Sequence, residues 1–161
     1  MNRQNANFSR ENHSENSDSM FITCNSAQES SKEVWFLDSG CSNHMSGNKD
    51  MFANIDEYVQ SEVKLGDDKK VAVMGKGSIK FETKQGEKKH IPNVYYVPNL
   101  KHNLISIGQL LQKGYKVYFE NDACEIFDSH RTLIAKVQMT QNKMFPLRLQ
   151  NDLFVAFKAT L

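Results

Sequence analysis

Apolar and polar positions alternate in short blocks along most of the chain, and turn-forming residues separate the blocks. The most informative block is residues 34–37, whose β-branched and aromatic side chains lead into Asp38, Ser39 and Gly40. β-Branched and aromatic residues favour a strand, while Asp-Ser-Gly favours a tight turn. The pattern therefore predicts a buried strand that carries Asp38 at its end.

The middle of the chain shows two candidate hairpins. Residues 61–74 alternate around a Gly-Asp-Asp turn, and residues 71–81 predict a second hairpin with Gly75 and Gly77 at its tip. Glycines at a hairpin tip permit mobility and a close approach of the backbone to a ligand. A turn at Gln85 and Gly86 then leads into a further strand.

Residues 103–119 begin with a short apolar strand, which meets Gly108. A helix near residues 109–113 closes at Gly114, and a strand with period-two alternation follows. Three later apolar segments predict a β-meander: residues 124–127, 133–137 and 144–149. Short strands with frequent turns predict a mainly β fold, a small barrel or a sandwich.

Composition divides the chain into segments. Residues 1–33 are dense in Asn, Ser, Glu and Gln and contain too little apolar surface to offset their ordering entropy, so we predict a disordered linker. Residues 34–120 are expected to form one domain, a barrel or a sandwich with one core, and residues 121–149 a β extension. Residues 150–161 carry no readable signal and are interpreted as a C-terminal tail.

Charge and hydropathy exclude several classes of partner. The 161 residues carry a net charge of +1, with no long basic stretch interleaved with aromatics, so we predict no nucleic-acid binding by this segment. No apolar run is long enough to span a membrane and no signal core begins the sequence, which predicts a soluble, intracellular protein without a membrane partner. Three distant cysteines, Cys24, Cys41 and Cys124, favour reduced thiols.

The order of an Asp-Ser-Gly loop, a glycine-tipped hairpin and an apolar-Gly-helix segment resembles the retroviral-type aspartic proteases, the retropepsins. The strings WFLDSGCSNHMSG, IPNVYYVPNLKHNLISIGQLLQKGYKVYF and CEIFDSHRTLIAKV resemble the protease region of Ty1/copia-type retrotransposon Gag-Pol polyproteins. This resemblance covers residues 34–149. It implies a small closed β-barrel with one short helix, a linker and a tail that join neighbouring polyprotein segments, and a cytoplasmic location that includes virus-like particles.

The resemblance also implies roles for individual residues. Asp38 would be catalytic, the Ser39 hydroxyl would bond across a dimer axis, and the Gly40 N–H would hold the carboxylate. Ile107 and Gly108 would support the site. A flap closing over the substrate, which would exclude water from the reaction, would be formed by Met74, Gly75, Lys76, Gly77 and Ser78.

Peptide hydrolysis by this class needs two aspartates that share a proton across about 3 Å. The sequence contains one Asp-Ser-Gly, because Asp128-Ser129-His130 lacks the glycine and no buried strand precedes residues 67–68. We therefore expect a homodimer with one Asp38 from each subunit. Its substrate would be an extended segment of the polyprotein, and neither a cofactor nor a metal is expected.

Other interpretations remain open. The Asp-Ser-Gly tripeptide can be a simple turn, and the chain can be a catalytically inactive, decayed or repurposed barrel that serves as a dimerisation or peptide-binding module. Cys41 and His44 have the spacing of a nucleophilic or metal-binding pair, but no second pair completes a metal site. We favour a small packed side chain for Cys41, and the sequence assigns no role to His44 and Met45.

Overall fold

The computed structural model describes residues 33–66 and 68–153. Residues 1–32 of the predicted linker and residues 154–161 of the predicted tail lie outside them, so both interpretations stay predictions. The described chain is mainly β, as predicted, and none of its helices is long and apolar enough to cross a membrane. Its elements are β1 Val34–Asp38, β2 His44–Ser46, β3 Phe52–Asp56, β4 Ser61–Lys64, β5 Lys70–Val73, β6 Gly75–Glu82, β7 Lys88–Tyr96, β8 Asn103–Ser106, α1 Ile107–Gln112, β9 Lys116–Glu120, β10 Ala123–Phe127, β11 Leu133–Gln138 and β12 Pro146–Arg148, with a 3₁₀ turn at Lys49–Met51.

The main sheet has seven strands in the order β12-β1-β8-β2-β7-β6-β3. Two pairs are parallel, β1 with β8 and β2 with β7, and the remaining pairs are antiparallel. The prediction of a closed barrel is wrong, because β12 and β3 form two edges that do not pair with each other among the described residues. Both edges are created by non-local pairings that periodicity does not reveal.

A second sheet has three strands in the order β11-β10-β9. Its first hairpin turns at Asn121 and Asp122, whose φ angles of 49° and 57° suit a two-residue turn between twisted strands. The predicted boundary at residue 120 falls inside this hairpin. The last strand of the predicted meander is placed differently, since β12 leaves this sheet and pairs with β1.

One apolar core joins the two sheets. Trp35 on β1 is fully buried and lies opposite Leu147 of β12, while Ile126 and Ile134 contribute from the three-stranded sheet. Burying an aliphatic side chain of this size stabilises the fold by about 1.5–3 kcal/mol. The predicted extension therefore shares its core with the strand that carries Asp38.

The hairpin predicted over residues 61–74 is confirmed as β4 and β5, which form a two-stranded sheet of their own. The hairpin predicted over residues 71–81 is wrong. Gly75 and Gly77 lie within β6, which pairs with both β7 and β3. A Cβ on Gly77 would overlap the backbone oxygen of Asn54, so glycine at this position permits close packing of two strands.

The helix predicted near residues 109–113 is confirmed as α1. It begins after Ser106, whose side chain accepts a hydrogen bond from the Gln109 N–H as an N-cap. It ends before Gly114, whose φ of 88° terminates the turn and turns the chain toward β9.

Candidate active site

Asp38 is the last residue of β1 and is partly exposed. The strand alternates, with Trp35 and Leu37 buried and the intervening residues partly exposed, so the buried residues anchor the strand. In the parallel pair of β1 and β8, Asp38 lies opposite Ser106. The fold therefore holds this carboxylate at the boundary between the core and water, where acid–base chemistry is possible.

The turn after β1 donates a hydrogen bond to the carboxylate. The Gly40 N–H donates to Asp38 Oδ1 at 2.6 Å, which is the contact that the resemblance implies. A Cβ on Gly40 would lie 3.2 Å from the same oxygen, closer than side chains usually approach. Ser39 and Gly40 are both exposed, so the turn presents its outer face to solvent.

The loop is bonded to a cluster of buried polar residues at the junction of β8 and α1. The Ser106 hydroxyl donates to the Cys41 carbonyl at 2.7 Å, and the Ser106 N–H donates to His44 Nδ1 at 3.0 Å. The His44 N–H in turn donates to Gln109 Oε1 at 2.8 Å. Cys41, His44, Ser106 and Gln109 are all buried, so these bonds form away from water.

His44 is held in its neutral form. Burial, together with a smaller repulsion from the Lys113 ammonium, lowers the pKa of His44 from 6.5 to about 3. Because Nδ1 accepts a hydrogen bond, the ring proton resides on Nε2. That Nε2 is buried and has no hydrogen-bond partner among the described residues.

Cys41 has the environment of a structural side chain. Burial, followed by the nearby Asp38 charge, raises the pKa of the Cys41 thiol to about 12, which disfavours the reactive thiolate. Its Sγ lies 3.7 Å from the Asp38 carbonyl oxygen, and His44 Nδ1 is already bonded to Ser106. These contacts favour the packed role over a Cys/His nucleophile. No group of three or more His, Cys, Asp or Glu residues suited to a metal occurs within residues 33–66 and 68–153.

The remaining predicted residues divide into two groups. Ile107 and Gly108 open α1 directly after Ser106, where Ile107 packs against the main core and Gly108 is exposed. They therefore lie next to the residue that is paired with Asp38. The predicted flap residues do not form a hairpin tip, because Met74 joins β5 to β6 and residues 75–78 are strand.

A different hairpin packs on an apolar cluster that includes Cys41 of the Asp38 loop. Val63, Leu65 and Val71 of the β4–β5 hairpin pack onto a small apolar cluster that contains Cys41 and Met45. The sequence predicted this hairpin but gave it no role. Ser106 and Gln109 were also missed as site residues, since a polar residue at the boundary of a strand and a helix is read first as a cap.

A family model described as "Pol polyprotein, beta-barrel domain" matches residues 35–115, from the start of β1 to the end of the turn after α1. The chain belongs to this family. The matched residues include Asp38, the cluster around His44 and the β4–β5 hairpin. They stop before β9, so the three-stranded sheet and β12 lie beyond the match.

The Pol polyprotein domain is also similar to a tobacco (Nicotiana tabacum) protein, the "Retrovirus-related Pol polyprotein from transposon TNT 1-94". The two are 30% identical over 115 residues, which cover 66% of this chain and 8% of the relative. The chain therefore spans less than a tenth of that polyprotein. Both comparisons support a relationship to retrotransposon Pol polyproteins.

Proposed function

We propose that this Pol polyprotein domain is an aspartic endopeptidase that cleaves a retrotransposon polyprotein. The observation that carries the proposal is the placement of Asp38. It ends a buried strand, remains accessible to water, and accepts the Gly40 N–H at 2.6 Å. This placement suits a carboxylate that takes a proton from an attacking water, while a second carboxyl group donates to the peptide carbonyl.

The second carboxyl group would come from another copy of the chain. The sequence supplies a single Asp-Ser-Gly, and the mechanism needs two aspartates that share one proton. Two Asp38 side chains at a twofold axis meet this requirement, and the exposed Ser39 hydroxyl would bond across the axis. A homodimer is thus part of the proposal.

The β4–β5 hairpin is our candidate for the flap. It forms a separate two-stranded sheet, and its apolar face contacts the cluster that contains Cys41 and Met45. Met74 stands at its base, where the Met74 N–H donates to the Tyr96 oxygen at 2.9 Å. In this arrangement the hairpin moves, Met74 marks its hinge, and residues 75–78 form the fixed sheet from which it extends.

The decisive test is hydrolysis of a polyprotein segment by the full chain and by Asp38→Asn. The substitution retains the size of the side chain and an oxygen that can accept the Gly40 N–H, so folding should survive. Turnover should fall by several orders of magnitude, as for removal of an essential catalytic group. Asp50→Asn, which alters an exposed acid on the 3₁₀ turn, is the matched control.

Two further results would separate the proposal from its alternatives. A hydroxyl-bearing transition-state mimic should bind the wild type far more tightly than Asp38→Asn. Peptide binding without hydrolysis in the wild type would instead favour an inactive binding module. Retained hydrolysis in purified Asp38→Asn would exclude the aspartic mechanism, and loss of turnover in Cys41→Ala alone would direct attention to the thiol.

A further inference from the structure

The backbone pairing between β2 and β8 is short. A single register pair, Met45 with Leu104, joins the two strands. The next N–H of β8 on that side belongs to Ser106, and it donates to the His44 ring instead of a β2 carbonyl. The imidazole thus extends the pairing of two strands by one step, at the residue that lies opposite Asp38.

The same cluster attaches the loop at a second and a third point. The Ser106 hydroxyl donates to the Cys41 carbonyl, and the His44 N–H donates to Gln109 Oε1. Gln109 Nε2 donates to the Asn93 oxygen at 3.1 Å, which connects the cluster to β7. The middle of the Asp38 loop and its C-terminal end are therefore bonded to one buried framework, while Asp38 itself is held by the pairing of β1 with β8.

The need to fill space in the core does not by itself explain why residue 44 is a histidine. His44 is completely buried, and its Nε2 has no hydrogen-bond partner within the described part of the chain. Burying a polar group without a partner costs about 1–3 kcal/mol, and an apolar side chain of similar volume would avoid that cost. What an apolar side chain cannot supply is the acceptor for the Ser106 N–H.

We propose that His44 is a positioning residue for Asp38. Its Nδ1 fixes the Ser106 backbone and, because Ser106 lies opposite Asp38 in the β1–β8 pair, it also fixes the position of the carboxylate at the end of β1. This inference rests on the proposed peptidase function. It assigns a role to a buried histidine that contacts neither substrate nor the reacting atoms. Gln109 completes the framework by holding the His44 backbone.

The test compares three substitutions in the full chain. His44→Asn places an amide oxygen near the position of Nδ1, His44→Gln moves the acceptor outward by one methylene, and His44→Leu removes it. Ser46→Ala, at another buried residue of β2, is the matched control, because it deletes the 2.7 Å hydrogen bond that the Ser46 hydroxyl donates to Asn103 Oδ1 on β8 without touching the loop. The readouts are kcat and KM on a polyprotein peptide, and amide hydrogen exchange at Gly40 and Ser106.

We expect kcat to fall by about tenfold or more in His44→Leu and His44→Gln with little change in KM, since misplacement of a catalytic group by a fraction of an ångström is costly. Exchange at Gly40 and Ser106 should accelerate in the same variants. His44→Asn should restore both readouts, and Ser46→Ala should lower stability alone. If His44→Leu does not fold, the comparison of kcat and amide exchange between His44→Asn and His44→Gln tests the proposal.

The proposal is overturned if the folded Gln and Leu variants keep wild-type kcat and wild-type exchange, or if Asn fails to rescue either. Its failure is distinguishable from failure of the peptidase function. A wild type that does not hydrolyse peptides, with faster loop exchange in His44→Leu, would refute the enzyme and retain His44 as the residue that orders the loop. An active wild type with unchanged variants would refute the His44 role alone.

Discussion

At the scale of single residues, the chain buries hydrogen-bonding side chains directly next to the loop that carries the partly exposed Asp38 carboxylate. Ser106, His44 and Gln109 form hydrogen bonds with one another and with the backbone of the loop. Removal of one member leaves the others unsatisfied, which costs more than the net value of one hydrogen bond. If the proposed function holds, the position of Asp38 therefore depends on these buried residues.

Gly40→Ala should reduce turnover more than it reduces stability. The added Cβ would sit 3.2 Å from Asp38 Oδ1, so the carboxylate or the turn must shift by a few tenths of an ångström. We expect kcat to fall by about tenfold or more, with a change in unfolding free energy of about 1 kcal/mol. Steady-state kinetics measure kcat, and denaturant unfolding measures the unfolding free energy. Ser42→Ala, in the same loop and exposed, is the control and should match wild type.

Stability should depend on pH through His44. Its pKa is about 3 in the folded chain and 6.5 in the unfolded chain, so below pH 6.5 the unfolded state binds the proton first. The contribution of neutral His44 is complete above pH 6.5 and declines by about 1.4 kcal/mol per pH unit as the pH falls toward 3.

Denaturant unfolding at several pH values between 7 and 4 tests this dependence. The difference in unfolding free energy between wild type and His44→Asn isolates the histidine from the titration of acidic residues. His90→Asn changes an exposed histidine on β7 and should retain the wild-type slope. Parallel curves for wild type and His44→Asn would contradict the buried, neutral assignment.

At the scale of elements, the sequence predicts the strand and the helix whose formation depends on residues close together in the sequence. The apolar run before Asp38 predicted β1, and the apolar segment closed by Gly114 predicted α1, because strand propensity and caps act over a few residues. Gly77 misled the interpretation for a physical reason. In the sequence, a glycine that leaves room for a neighbouring strand looks the same as a glycine that makes a turn. The backbone of Asn54, which leaves no room for a side chain at Gly77, is distant in the sequence.

The residues of the candidate site divide in the same way, into those that their sequence neighbours predict and those that only distant contacts bring together. Asp38 and Gly40 were identifiable because strand, turn and carboxylate are contiguous. The His44 cluster was not, since it joins β2 to the junction of β8 and α1 through bonds that span more than sixty residues, such as the 62-residue separation between His44 and Ser106. Nothing in the periodicity of either segment specifies that contact.

Loosening the β4–β5 hairpin should alter substrate binding before it alters global stability. Val71→Thr introduces a hydroxyl on the face that packs toward Cys41 and Met45, without changing the size of the side chain. Amide exchange in β4 and β5 should accelerate, and KM should rise severalfold. Ala72→Thr, on the exposed face of β5, is the matched control. Equal kinetics in both variants would remove the hairpin as the candidate flap.

At the scale of the whole molecule, the proposed activity belongs to a pair of chains. If each subunit supplies one Asp38, the rate per subunit should rise with concentration until dimers saturate. A tenfold excess of Asp38→Asn over wild type should reduce the wild-type activity about tenfold by forming mixed pairs, whereas an excess of a folded, unrelated protein should not. Sedimentation identifies the species, and full activity in a demonstrated monomer would refute the shared site.

The parallel pairing of β1 with β8, flanked by β12 on the other side of β1, has a consequence for timing. A chain emerging from the ribosome exposes Asp38 early, but Ser106 appears only after most of the main sheet has been made, and Pro146 later still. Parallel and other non-local pairings form slowly, because loop closure precedes the contacts that reward it. If the proposed function holds, the site would thus be completed only after translation has passed β12, and Asp38 would stay inactive until then.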